Sequence, residues 1–217
     1  MPYTCMKAQI IDNNVDISKL ENLIKGDNFE IKPYEWFKQF SDNQIKYFLL
    51  KEAMYVLPTE ELINFLDKEL GDDAIEIGSG RGFIGKELGM VCTDSKLQER
   101  EDIKLQYLLM GQPVIKYPKY VKKMDANTAV NTLKPEVVLG CFVTHKYRKE
   151  TGDGNYWGVN FETLLKKVKK LILVGNLEIH KNNPIMSLPH KEIFLEGLIT
   201  RAVDQSKNRI FIWENAN

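Results

Sequence analysis

The stretch Ala74-Ile75-Glu76-Ile77-Gly78-Ser79-Gly80-Arg81-Gly82 constrains this chain more than any other. Its first four residues read as a short buried strand with one acidic member, and glycines follow at three alternate positions. Glycine at every second position lets the backbone turn sharply and lets a ligand lie against bare peptide groups. A strand, such a loop and then a helix start form a cofactor-binding corner.

From residue 74 onward, strand-like and helix-like runs alternate. Strands are predicted over 74–77, 90–93, 121–124, 137–143 and 171–174. Helices are predicted over 83–88, 97–110, up to about 133, and over 161–170. The run over 137–143 is unbroken and mostly apolar, as expected for a strand covered on both faces. Two further strand-like runs, 198–203 and 209–213, are separated by five residues and suit a hairpin. The expected fold is α/β: a Rossmann-like, open, mostly parallel sheet of about seven strands, ending in an antiparallel hairpin. Residues 1–72 read as a helical N-terminal extension and 73–217 as the cofactor-binding domain. In the extension, Ser41-Asp42-Asn43-Gln44 is a capping box that opens one helix. Pro58-Thr59-Glu60-Glu61 starts the next, which Gly71 is placed to end.

A chain of 217 residues holds one such domain and its extension without needing metals or disulfides. Thirty Lys and Arg balance thirty Asp and Glu, so charge gives no global argument for nucleic acid or an anionic membrane. The three cysteines, Cys5, Cys92 and Cys141, show no C-x-x-C spacing, which argues against a disulfide framework or a zinc site. Cys92 and Cys141 fall in apolar runs and read as small buried hydrophobes. Met1-Pro2-Tyr3-Thr4-Cys5 has no apolar signal region, and no run approaches the roughly 18 apolar residues of a membrane span. The expected location is the cytoplasm, with no membrane partner; a homo-oligomer is left open.

Two cofactor classes compete for the corner. Gly80-Arg81-Gly82-Phe83-Ile84-Gly85 is literally G-x-G-x-x-G, the dinucleotide fingerprint, but its register is wrong. In that fingerprint the first glycine follows the strand and a ribose carboxylate lies about 20 residues on. Here Gly78 follows the strand, and Asp94 comes only 14 residues after Gly80. Glu76 would also face a pyrophosphate with its own negative charge.

Glu76-Ile77-Gly78-Ser79-Gly80-Arg81-Gly82 resembles motif I, E/D-x-G-x-G-x-G, of the class I S-adenosylmethionine-dependent methyltransferases. The resemblance spans residues 74 to about 213. It implies S-adenosyl-L-methionine as cofactor, with Glu76 balancing the ligand's cationic methionine end and Gly78, Ser79, Gly80 and Gly82 approaching its backbone edge. It implies Asp94, with Ser95 beside it, as the ribose ligand. It places Asp125 and Ala126 at the adenine amino group, and Thr144 in the segment that faces the transferable methyl. One departure stands out: Gly82 and Asp94 are only 12 residues apart, so the first helix of the domain is truncated.

The segment leaving the fourth strand, Thr144-His145-Lys146-Tyr147, lacks the D/N-P-P-Y/F of base-amine methyltransferases. The Pro-Cys pair needed for cytosine-C5 chemistry is also absent. Histidine is present instead. His145 follows the fourth strand and His180 follows the fifth, and neighbouring strands would bring the two imidazoles to one rim. A neutral histidine there can take the proton of an oxygen or nitrogen acceptor. His145 is the expected general base and His180 its partner or a substrate contact. No metal-like spacing links His145, His180, Glu178 and Asp153, so no metal is assigned. The loop 151–158, with Tyr156 and Trp157, reads as a mobile lid or as loop packing, and Tyr34, Trp36 and Phe37 as a second wall or as core. Lys166, Lys167, Lys169 and Lys170 read as the wet face of a helix. The expected activity is methyl transfer to an oxygen or nitrogen of a small molecule. A non-catalytic binding module for the cofactor or its demethylated product, an RNA or protein methyltransferase, and an NAD-dependent oxidoreductase remain open alternatives.

Overall fold

The computed structural model describes residues 11–215. Cys5 and the run from Met1 to Cys5 lie outside them. The N-terminal part contains α1 (Ser18–Glu21), β1 (Ile24–Lys25), β2 (Asn28–Phe29), α2 (Tyr34–Phe37), α3 (Asp42–Lys51) and α4 (Glu60–Leu70). There follow β3 (Ala74–Ile77), α5 (Phe83–Glu87), β4 (Val91–Asp94), α6 (Glu101–Leu109), β5 (Lys122–Lys123) and α7 (Ala126–Leu133). The chain ends through β6 (Val137–Cys141), α8 (Phe161–Leu165), β7 (Lys170–Asn176), α9 (Leu177–His180), β8 (Lys191–Ile193) and β9 (Asn208–Glu214).

Seven strands form one sheet in the order β5-β4-β3-β6-β7-β9-β8. The first five are mutually parallel, and β9 runs antiparallel to both of its neighbours. The fold is therefore α/β, Rossmann-like and mostly parallel. Its last two positions depart from the dinucleotide-binding order 3-2-1-4-5-6, in which no antiparallel strand intervenes. Apolar residues cover both faces: Ile75, Ile77, Val138 and Leu171 pack on one side, and Leu139, Ile172, Val174 and Ile212 on the other. Leu62, Leu66 and Leu70 of α4 join the second face, so the extension contributes to the sheet's core. A third cluster fills the extension itself and takes in Phe83 of α5. Among the described residues no helix is long and apolar enough to cross a membrane.

Several boundaries differ from the sequence reading. The expected hairpin partner of 209–213 is wrong: β9 pairs with β7 and β8, not with 198–203. That run makes one isolated bridge, Val56 to Thr200, and is held by side chains. Gln205 donates to the carbonyls of Thr200 and Ala202, and Thr200 donates to Asn208, giving its backbone partners outside any ladder. The extension is helical but also carries the antiparallel β1–β2 ribbon. The predicted helix over 97–110 is split into a 3₁₀ turn (Leu97–Glu99) and α6, with Arg100 extended between them. The helix predicted over 161–170 stops at Leu165, because Lys170 already pairs with Val137 in the sheet. Its lysines are therefore not a helix face; Lys169 pairs with Glu136, and Lys170 with Glu69.

Candidate functional site

In the sheet order, β4 and β5 lie to one side of β3, and β6 and β7 to the other. Ligands of open α/β sheets bind outside the carboxyl ends of the strands at such a reversal. A cleft of about 280 Å³ opens there. Eight residues expected at a cofactor line it: Glu76, Gly78, Ser79, Gly80, Gly82, Asp94, Ser95 and Thr144.

The floor follows from the glycines. Gly78, Gly80 and Gly82 have φ of +56°, +56° and +64°, the left-handed region that favours glycine. At Gly78 a Cβ would also lie 2.8 Å from Cγ2 of Val143. Gly78→Ala is therefore expected to destabilise the fold by about 1–2 kcal/mol from backbone strain, with side-chain crowding in addition. Urea midpoints of the two proteins provide the check.

Glu76 is buried beneath this loop, with 2% of its surface exposed. Its Oε2 accepts a hydrogen bond from the Gly85 amide at 3.1 Å, and the thiols of Cys92 and Cys141 face the carboxyl. Burial pushes the carboxyl up to about 8. The glycine at 85 has a reason invisible in the sequence. A Cβ there would stand 2.6 Å from Oε2 of Glu76 and 2.7 Å from Sγ of Cys92. Asp94 ends β4 with both oxygens engaged: Oδ2 accepts from Gly80 N at 2.9 Å and Oδ1 from Lys96 N at 2.7 Å. Burial raises its pKa as well, and the Tyr117 hydroxyl faces it. Ser79 Oγ is buried in the cleft wall without a partner among the described residues.

Two walls escaped sequence reading. The first comes from the extension: Met54, Tyr55 and Val56 line the cleft, anchored by an ion pair between Glu52 and Arg81. Tyr34, Trp36 and Phe37 do not form this wall; Phe37 is fully buried, and Trp36 packs edge-on against it at 5.0 Å. The second is the chain after α6. Ile115 N donates to Gln98 Oε1 at 2.8 Å, and the Tyr120 hydroxyl donates to Arg81 O at 2.6 Å. Pro113 and Pro118 in this stretch signal irregular chain, yet nothing local indicates that it crosses the cleft.

Asp125 lies in a neighbouring groove that shares Ser95 and Trp157 with the cleft. It caps α7, accepting from Asn127 N, Thr128 N and Thr128 Oγ1. Ala126, the first residue of α7, is buried in the core and is not a lining group. The loop 151–158 is bridged to the segment after β6: Tyr147 N donates to Asn155 O and Asn155 N to His145 O. Tyr156 stacks on Tyr147 with ring centroids 4.4 Å apart. Trp157, 53% exposed, lines the cleft with the Arg100 guanidinium 4.7 Å from its ring.

His145 lines a groove of about 450 Å³ that meets the cleft at Thr144 and Asn155. Its Nε2 is 3.2 Å from Oδ1 of Asp153, which also accepts from Thr151 Oγ1. His180 lines neither cavity. It is buried, with Nδ1 between the amide and carbonyl of Asn176 and its ring edge-on to Phe142 at 5.6 Å. Burial lowers its pKa and favours the neutral ring. The two imidazoles thus do not share a rim. Phe142, where the chain leaves β6, is a non-glycine residue at φ +56°, a strained conformation in the cleft wall. Among the described residues no group of His, Cys, Asp or Glu has the arrangement of a metal site. In comparisons with known proteins, no family model matches the chain and no curated protein is similar to it.

Proposed function

We propose that the cleft binds S-adenosylmethionine and that the protein transfers its methyl group to an oxygen or nitrogen of a small molecule. The observation that carries this reading is the Glu76–Gly85 hydrogen bond. Gly85 N belongs to the first turn of α5, where a dinucleotide's pyrophosphate would otherwise find its amides. One amide of that turn is already committed to a buried carboxyl. A site so built withholds that amide from a pyrophosphate and suits a cation, which draws the proton off Glu76 and meets the carboxylate; S-adenosylmethionine carries an ammonium and a sulfonium.

The remaining roles follow the walls. Asp94 retains free lone pairs on both oxygens, so ribose hydroxyls can replace the Tyr117 hydroxyl facing it. Trp157 and Ser95 bound the side toward Asp125, where the adenine would lie. S-adenosylmethionine supplies an electrophilic methyl on sulfur. The acceptor's lone pair forms the new bond to carbon while the C–S electron pair returns to sulfur. His145 takes the acceptor's proton from the adjoining groove, with Asp153 orienting the ring through Nε2.

Calorimetry with S-adenosylmethionine, its demethylated product and reduced nicotinamide dinucleotide tests the reading. The first two are expected to bind and the third to fail; the reverse result overturns it. Binding without labelled methyl appearing in any product would leave a binding module. Asp94→Ala is expected to weaken cofactor binding by about 1–3 kcal/mol through lost charge-assisted hydrogen bonds. An unchanged dissociation constant in the same titration would remove the ribose assignment.

A further inference from the structure

Helix α6 is apolar on two opposite sides. Ile103 is buried and Tyr107 lines the cofactor cleft, so that side faces inward. Leu105, Leu108 and Leu109, spaced i, i+3 and i+4, form a stripe on the other side, and Met110 caps the helix end. These four are 57%, 64%, 78% and 63% exposed. A helix that is apolar all round belongs in a core. A lone exposed leucine needs no explanation, but this cluster marks a contact surface.

The charges of the same stretch are one-sided. Residues 103–124 contain five lysines and no acidic residue, a local excess hidden by the zero net charge of the whole chain. The carboxylates just before it are already engaged: Asp102 with Arg100, Glu101 with Lys104 and Glu99 with Lys123. Lys116, Lys119 and Lys122 are exposed and hold no ion pair among the described residues. The stretch sits at one end of the sheet. Tyr107, Ile115 and Tyr117 line the cleft, and Lys122 and Lys123 pair with Thr93 and Asp94 at the carboxyl end of β4.

We propose that this face docks on an anionic membrane surface, with Leu105, Leu108, Leu109 and Met110 entering the headgroup region and Lys116, Lys119 and Lys122 meeting lipid phosphates. The cleft then opens beside the bilayer. With 9 residues, α6 lies on such a surface and does not span it. Charge selects this occupant. A second copy of the chain would set the unpaired lysines against their equals, and a nucleic acid would leave the leucines in water.

The test floats the full chain with vesicles of phosphatidylcholine alone and with vesicles containing about one third phosphatidylglycerol. Binding to the anionic vesicles is expected to be about tenfold or more tighter, and to weaken as salt is raised. Leu108→Ser with Leu109→Ser, at exposed positions, is expected to abolish it. Lys116→Gln, Lys119→Gln and Lys122→Gln together are expected to bring it down to the level of the neutral vesicles. Circular dichroism checks that both variants fold, and the salt series needs no variant. The proposal is overturned if neither vesicle is bound, if both are bound equally, or if the leucine variant binds as the wild type does. It is also overturned if sedimentation shows a dimer that the leucine variant dissociates. None of these outcomes depends on whether the cleft holds S-adenosylmethionine.

Discussion

Glu76→Gln is expected to make the free protein more stable in mildly alkaline solution and, in the same stroke, to weaken its hold on S-adenosylmethionine. Burial raises the Glu76 carboxyl to about 8, against 4.5 for an ordinary glutamate. Between those values the folded protein keeps a proton that the unfolded chain has lost. Stability from this group is therefore full below the unfolded value, declines as pH rises, and is gone above about 8. Glutamine has the same shape and no charge, so the variant escapes the decline. The difference in unfolding free energy should reach about 2–4 kcal/mol near pH 9 and vanish near pH 4. Urea titrations of both proteins across this range measure it; parallel profiles would mean that Glu76 is ionised in the fold. A cationic ligand reverses the preference, because it favours the carboxylate. Wild-type affinity for S-adenosylmethionine is thus expected to rise with pH through this window. Binding heats should depend on the buffer's ionisation enthalpy as the proton leaves. For Glu76→Gln that dependence should disappear.

His145→Ala is expected to leave cofactor binding unchanged and to slow methyl transfer by about 10²–10⁴, the usual worth of a positioned base. The ring lies outside the cleft that would hold the cofactor, in a groove reached past Thr144 and Asn155, so its loss should not disturb the dissociation constant. Asp153→Asn should produce a smaller loss, because asparagine can still hydrogen-bond Nε2 but does not stabilise the imidazolium. The measurement is single-turnover transfer of labelled methyl, once an acceptor is in hand. An unaltered rate would place the base elsewhere or mean that the acceptor needs none. His180 supplies no substitute, since it is buried against Phe142 and Phe211.

The parts of the molecule legible in the sequence are those fixed by neighbours along the chain. The strand at Ala74–Ile77 is found where its apolar pattern and the following glycines put it. The capping box at Ser41 forms both of its hydrogen bonds, and Thr59 caps α4. The short spacing from Gly82 to Asp94 leaves room for only the five residues of α5. The 198–203 run misled because its alternation is real, but its backbone partners come from Gln205, Tyr55 and Leu57. The cleft's upper walls were not legible, because Met54–Val56 and the stretch around Ile115 and Tyr117 have no local feature that ties them to Gly80 and Asp94.

The glycine corner marks the same division. The chain by itself determined a strand, a left-handed loop and a carboxylate in register with them, since backbone sterics and side-chain spacing are local properties. Only the tertiary structure decided what that carboxylate is. It stripped water from Glu76, set Cys92 and Cys141 around it and brought Gly85 to its oxygen. It also paired His145 with Asp153 and closed the cleft with segments distant in sequence. Desolvation and charge pairing depend on what packs from elsewhere in the chain, and no reading of neighbouring residues contains that information.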